Sequence, residues 1–188
     1  SGTLSSVTSF DNLADNVALT NQNISIAAAV DLTIGGFTDD SEISAITVSG
    51  AGDVTLGETG SRTVATQESS VDASELTGSL TVDYQNLDGE LDSSVTGGAG
   101  DDVIENRDTT TTTWAGDILA DVAGGAGDDT IHVDGDLSKP TEIDGDDGDV
   151  SVDGGAGDDT IVVAGDVSEN AAVTGGAGAD TINIGGTI

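Results

Sequence analysis

The sequence predicts an all-β chain, a parallel β-roll or β-helix solenoid whose coils stack on Gly-rich turns. Three observations carry this. One octapeptide occurs four times, at Gly97–Ile104, Gly124–Ile131, Gly154–Ile161 and Gly175–Ile182, with starts 27, 30 and 21 residues apart. Short apolar alternations, separated by Gly-Gly or Gly-Asp pairs, run along the rest of the chain. Of 188 residues 28 are Gly and one is Pro, Met and Cys are absent, and aromatics make up 2%, so a thick multilayered core is out of reach.

Residues 1–96 carry the alternations Val30–Ile34, Ile43–Val48, Asp53–Leu56 and Leu80–Asp83. Turn residues separate them at Gly35-Gly36, Gly50–Asp53, Gly57, Gly78 and Gly89. We read this part as further β-solenoid without strong cation-binding turns, with a small β-sandwich as the alternative. Val48–Val54 looks like a degenerate Gly-Asp turn. Helix is not expected, and only Ser9–Leu19, with Leu13, Val17 and Ala18, shows weak helical periodicity.

Residues 97–188 hold the repeats. Three glycines in four positions permit positive φ and close backbone approach, so that carbonyl oxygens can point at one spot. The sixth-position Asp adds a carboxylate there. Thr160–Val163 and Thr181–Ile184 then alternate with Ile inward and Thr outward, so each unit reads as a turn followed by a short strand. Simpler turns follow at Ala115–Asp117, Gly135-Asp136, Gly165-Asp166 and Gly185, on the opposite edge. One coil is then about 21 residues, the shortest repeat interval, with Ala171–Val173 as return strand. Longer intervals hold insertions at Thr109–Thr113 and Ser138–Gly148. Stacking places the four Gly-rich turns in one column. Trp114 is expected to plug the interior, and His132, between inward Ile131 and Val133, to face outward.

Charge narrows the partners. Asp and Glu number 36 against 3 Lys and Arg, a formal charge of −33. Nucleic acid and anionic membrane surfaces are excluded, since both require clustered cations. No apolar run approaches the ~20 residues of a membrane span. Halophilic surface adaptation could give the same balance, but the sixth-position Asp recur in phase with the glycines. Carbonyl and carboxylate oxygens in flexible loops suit calcium rather than magnesium. Four stacked turns leave three gaps, hence about three or more calcium ions; three ions bring +6 and leave −27 of the −33. Folding is then expected to depend on the metal. At a Kd of ~100 μM, millimolar extracellular calcium contributes roughly 2–3 kcal/mol per site, and cytosolic calcium almost nothing.

Over residues 97–186 the octapeptides resemble the RTX family, whose nonapeptide is Gly-Gly-x-Gly-x-Asp-x-apolar-x. The resemblance implies a parallel β-roll with calcium held between successive turns. The implied ligands are the carboxylates of Asp102, Asp129, Asp159 and Asp180. With them come backbone carbonyls of the turns, at Gly97, Ala99, Gly124, Ala126, Gly154, Ala156, Gly175 and Ala177. Family arrays alternate the motif on both edges; here one edge carries it, which puts a second column at Asp117, Asp136 and Asp166 in doubt. Asp101, Asp128 and Asp158 are read as solvent-facing, and Asp144, Asp146, Asp147 and Asp149 as a solvated acidic insertion.

Catalysis has little to draw on. There is no Cys, one His and no Gly-x-Ser-x-Gly elbow, and the basic residues Arg62, Arg107 and Lys139 lie outside the calcium column. We expect no enzyme. No signal peptide is evident, and the chain reads as a fragment of a longer protein. The Thr/Ser/Val/Ala-rich part, with segments such as Val71–Leu80, resembles surface-layer proteins of Gram-negative bacteria. That resemblance implies a secreted structural segment at the bacterial cell surface, with self-association into a lattice or filament. The alternatives are an RTX adhesin segment or the folding and secretion region of a type I-secreted exoenzyme or toxin.

Overall fold

The computed structural model describes residues 2–5, 9–10, 22–34, 43–56, 64–65, 70–85, 94–106, 121–137 and 150–188. Among them run seventeen strands and no helix. The first nine are β1 (Gly2–Ser5), β2 (Ser9–Phe10), β3 (Gln22–Ala28), β4 (Leu32–Ile34), β5 (Ile43–Gly50), β6 (Val54–Leu56), β7 (Val64–Ala65), β8 (Ser70–Leu76) and β9 (Leu80–Gln85). The remaining strands are β10 (Ser94–Thr96), just before the repeats, and β11 (Val103–Asn106), β12 (Asp121–Ala126), β13 (Thr130–Val133), β14 (Val150–Ala156), β15 (Thr160–Val163), β16 (Ala171–Ala177) and β17 (Thr181–Ile184).

One sheet has eight strands in the order β1-β3-β5-β8-β10-β12-β14-β16. The second runs β17-β15-β13-β11-β9-β6-β4-β2, with β7 beside β9. Every pairing among the described residues is parallel. The chain therefore crosses from one sheet to the other and returns to pair with its own previous coil, which is a parallel β-solenoid. Strands from before and after residue 97 stand in the same two sheets.

Period-two alternation builds the core. Ile34, Leu56, Val82, Ile104, Ile131 and Ile161 stack in register in one sheet and are almost completely buried. Ile46, Val71, Val95, Val122 and Val152 stack opposite them in the other. Each such side chain contributes roughly 1.5–3 kcal/mol of burial. Thr130 and Thr160 face outward beside buried Ile131 and Ile161, as the alternation predicts. His132 stands partly exposed between Ile131 and Val133, with Nε2 3.2 Å from Asp134 Oδ1.

Unequal repeats stack without a register shift: Val122 pairs with Val152 and Val152 with Val173. The extra length falls within 107–120 and 138–149. The expected insertions, Trp114, Asp117 and the acidic run Asp144–Asp149 thus lie outside the described residues. Of Ser9–Leu19, Ser9 and Phe10 are strand, and the rest lies outside as well.

One expectation changes. The Gly-Gly-Ala of the last three octapeptides does not turn but completes β12, β14 and β16, with Gly125 paired to Gly155 and Gly155 to Gly176. Only the following Gly-Asp, Gly178-Ala179 in the last copy, turns the chain into the second sheet. Positive φ at Gly125, Gly155 and Gly176 lets a strand continue through these peptides while reorienting them, a conformation that a side chain would penalise.

Candidate metal site

The register places Leu32, Val54, Leu80, Asp102, Asp129, Asp159 and Asp180 in one inward-facing column at the start of the second sheet. Its first three members are buried apolar side chains. The next three are carboxylates only 1% exposed. Carboxylates are tolerated there because they replace carbonyls as partners for stacked amides. The N–H of Leu80 donates to Asp102 Oδ1 (2.6 Å), that of Asp102 to Asp129 Oδ1 (2.8 Å), that of Asp129 to Asp159 Oδ1 (2.8 Å), and that of Asp159 to Asp180 Oδ1 (3.1 Å). Each Asp reaches back one coil.

A second ladder runs beside it in the reverse sense. Asp101 Oδ1 accepts from the Asp128 N–H (3.0 Å), Asp128 Oδ1 from Asp158 (2.9 Å) and Asp158 Oδ1 from Ala179 (2.8 Å). The same bonds join Asp31 to the Asp53 N–H and Asp53 to the Ser79 N–H. These fifth-position Asp are exposed, as expected, but they also tie coil to coil. On the opposite edge Asp136 Oδ1 accepts from the Asp166 N–H, and Asp166 Oδ1 from Thr187. Sequence reasoning missed these ladders; Gly52-Asp53 and Gly78-Ser79, in line with Gly100-Asp101, were the available signal.

The second carboxylate oxygens differ among the buried Asp. Asp102 Oδ2 accepts from the Gly98 N–H at 2.5 Å. Oδ2 of Asp129 and of Asp159 is buried with no hydrogen-bond partner. Leaving such a group unpaired costs about 1–3 kcal/mol, and more when it is charged. Burial accordingly pushes the Asp129 carboxyl up to about 7, with the charges of Asp102, Asp159 and Asp101 adding to it against the Asp102 N–H bond. Burial also raises Asp102 and Asp159; in Asp159 the negative neighbours Asp180, Asp128 and Asp153 add to it.

The first glycine of each octapeptide makes the space. Gly97, Gly124, Gly154 and Gly175 are buried and face inward. A Cβ on Gly124 would meet both Asp129 Oδ2 and the Gly154 carbonyl oxygen; on Gly154 it would meet Asp159 Oδ2 and the Gly175 carbonyl oxygen. On Gly97 it would meet Asp102 Oδ2 and the Gly124 carbonyl oxygen. Carboxylate and carbonyl oxygens from successive coils therefore border one small space beside each glycine. Oxygens of this kind are the donors a hard divalent cation takes, and each space supplies two of the six to eight that calcium takes. No group of three or more acidic, His or Cys side chains gathers among the described residues, so each space draws on one carboxylate plus backbone oxygen.

Of the sequence-predicted ligands, Asp102, Asp129 and Asp159 are brought together with the carbonyls of Gly124, Gly154 and Gly175. Asp180 closes the column from the last coil, half-buried. Ala99, Ala126, Ala156 and Ala177 face outward, and the carbonyls of Ala156 and Ala177 accept the N–H groups of Gly127 and Gly157. Comparison with protein families, with curated proteins and with solved structures finds no match. The RTX resemblance stands on the four octapeptides themselves.

Proposed function

We propose that this solenoid is a calcium-binding structural segment of a secreted bacterial cell-surface protein, of RTX and surface-layer type, which folds on extracellular calcium. The observation that carries the reading is the pair of buried, unpartnered Oδ2 atoms of Asp129 and Asp159, each facing a carbonyl oxygen of the next coil. Without a cation or a proton, two acceptors confront each other in a dry space. A calcium ion turns that repulsion into a bond between coils and offsets part of the −33 charge. The role is non-enzymatic: the metal joins coils.

Assembly into a lattice or filament is the wider form of this reading and rests on the surface-layer resemblance of the sequence. An adhesin segment or a secretion-coupled folding region would use the same calcium chemistry.

The test is calcium titration of chelator-stripped protein, read by far-UV circular dichroism with light scattering alongside. A rise in β-structure near millimolar calcium, absent with magnesium, is expected. Scattering that rises in step supports the lattice role, and a clean monomer counts against it. Full β-structure and unchanged stability in chelator and calcium alike would overturn the reading.

A further inference from the structure

The three spaces are not equivalent. At Asp129 and Asp159 the carboxylate oxygen is bare. At Asp102 the corresponding oxygen already holds the Gly98 N–H. They also differ in what each second glycine rests on and in its backbone conformation. A Cβ at Gly98 would meet the carbonyl and Cβ of Leu76 and the Ala73 carbonyl, whereas Gly125 rests on Gly98, Gly155 on Gly125 and Gly176 on Gly155. Gly125, Gly155 and Gly176 have φ of 110, 108 and 89°; Gly98 is not in the positive-φ region.

In a trans peptide the C=O and N–H point in opposite directions. Rotation at a positive-φ second glycine takes its N–H away from the Asp and leaves the carboxylate open to a cation. In the first octapeptide the N–H stays turned in, and its positive end occupies the position a cation would need.

We infer that the column binds two divalent cations, one between the Asp129 and Asp159 coils and one between the Asp159 and Asp180 coils, while Asp102 closes the column by hydrogen bonding and holds no metal. The inference rests on the calcium reading and refines it, since four stacked turns alone imply three ions. Leu80, with no carboxylate, lies on the far side of Asp102, so the series ends on that side. Asp102 joins the apolar coils to the metal-bearing ones: its Oδ1 takes the Leu80 N–H, and its Oδ2 the Gly98 N–H.

The experiment counts tightly bound calcium by isothermal titration on the whole chain and on Asp102→Asn, Asp129→Asn and Asp159→Asn, with circular dichroism confirming the fold. The tight count is expected to fall by one in D129N and in D159N and to stay unchanged in D102N. Loss of one ion from folded D102N overturns the inference and leaves the calcium reading standing. Absence of any tight ion from the wild type overturns both. Should D102N fail to fold, amide exchange of the calcium-loaded wild type decides. A Gly98 amide protected as strongly as those of the core strands supports the closed site, and a Gly98 amide exchanging like an exposed turn overturns it.

Discussion

Asp129→Leu tests whether the buried carboxylate is a burden that the metal relieves. Leucine branches at Cγ as aspartate does, and Leu80 already fills the same column position fully buried. With no metal, raising the carboxyl from 3.8 to about 7 means that carrying its charge at pH 8 costs the fold roughly 4 kcal/mol. The sign follows from the raised value. The folded state holds the proton more tightly than the unfolded state, so the penalty is absent below about pH 4, grows as pH rises, and saturates above about 7. Leucine removes that penalty and adds roughly 1.5–3 kcal/mol of burial. It also strands the Asp102 N–H, at a cost of about 1–3 kcal/mol. These last two effects offset, so D129L should be more stable than wild type by roughly 3–4 kcal/mol at pH 8 in chelator, and about equal at pH 4. Urea unfolding at fixed salt, followed by circular dichroism, measures this. Asp128→Asn serves as control, since it removes one exposed charge while keeping an acceptor for the Asp158 N–H. Saturating calcium should narrow or reverse the order, because only the wild type gains the ion. A D129L protein less stable than wild type at pH 8 in chelator would refute the reasoning.

Gly124→Ala puts a methyl group against the Gly154 carbonyl and the Asp129 side chain, and should cost about 1–3 kcal/mol together with one tightly bound ion in the titration. Ile161→Ala should cost about 2–5 kcal/mol in urea unfolding, and Ile182→Ala less than half as much, because Ile182 on the last coil is already 43% exposed. Near pH 7 the Asp129 carboxyl is partly protonated, so calcium binding should release up to about half a proton from this site. Titrations in buffers of different ionisation enthalpy read that release, which should disappear in Asp129→Asn.

The octapeptides made the second half legible because their period is the coil and their glycines fix the stacking. Inward Ile131 and Ile161, outward Thr130 and Thr160, and buried Asp102, Asp129 and Asp159 all follow from that pattern. The direction of single peptides was not legible. Gly98 and Gly125 occupy the same place in the shared Gly-Gly-Ala-Gly-Asp-Asp, yet Gly125 alone has positive φ, and Leu76 lies under Gly98 where Gly98 lies under Gly125. Nor could the sequence align Leu32 and Val54 with the Asp column. That alignment depends on spacings of 21–30 residues and on an irregularity between Thr47 and Ser49, which only the stacked strands resolve.

A single column that takes Leu32, Val54 and Leu80 and then Asp102, Asp129 and Asp159 divides the solenoid by what stabilises it. Coils of the first kind carry their own apolar interior. Those of the second are continuous with them in register but contain a charge that must be neutralised. In a stack stabilised by nearest neighbours, the first can persist where the second opens. The boundary falls at Asp102, whose carboxylate is satisfied by Leu80 and Gly98 without metal. Amide exchange in chelator at pH 8 should therefore retain protection at Ile46, Val48, Val54, Leu56, Leu80 and Val82 while losing it at Val122, Ile131, Val133, Val152, Ile161 and Val163, and calcium should restore the latter. Uniform loss would mean that the apolar coils do not stand without the Asp-bearing ones. Uniform retention would mean that the bare Asp129 and Asp159 oxygens impose no penalty, and the case for a cation between these coils would fall with it.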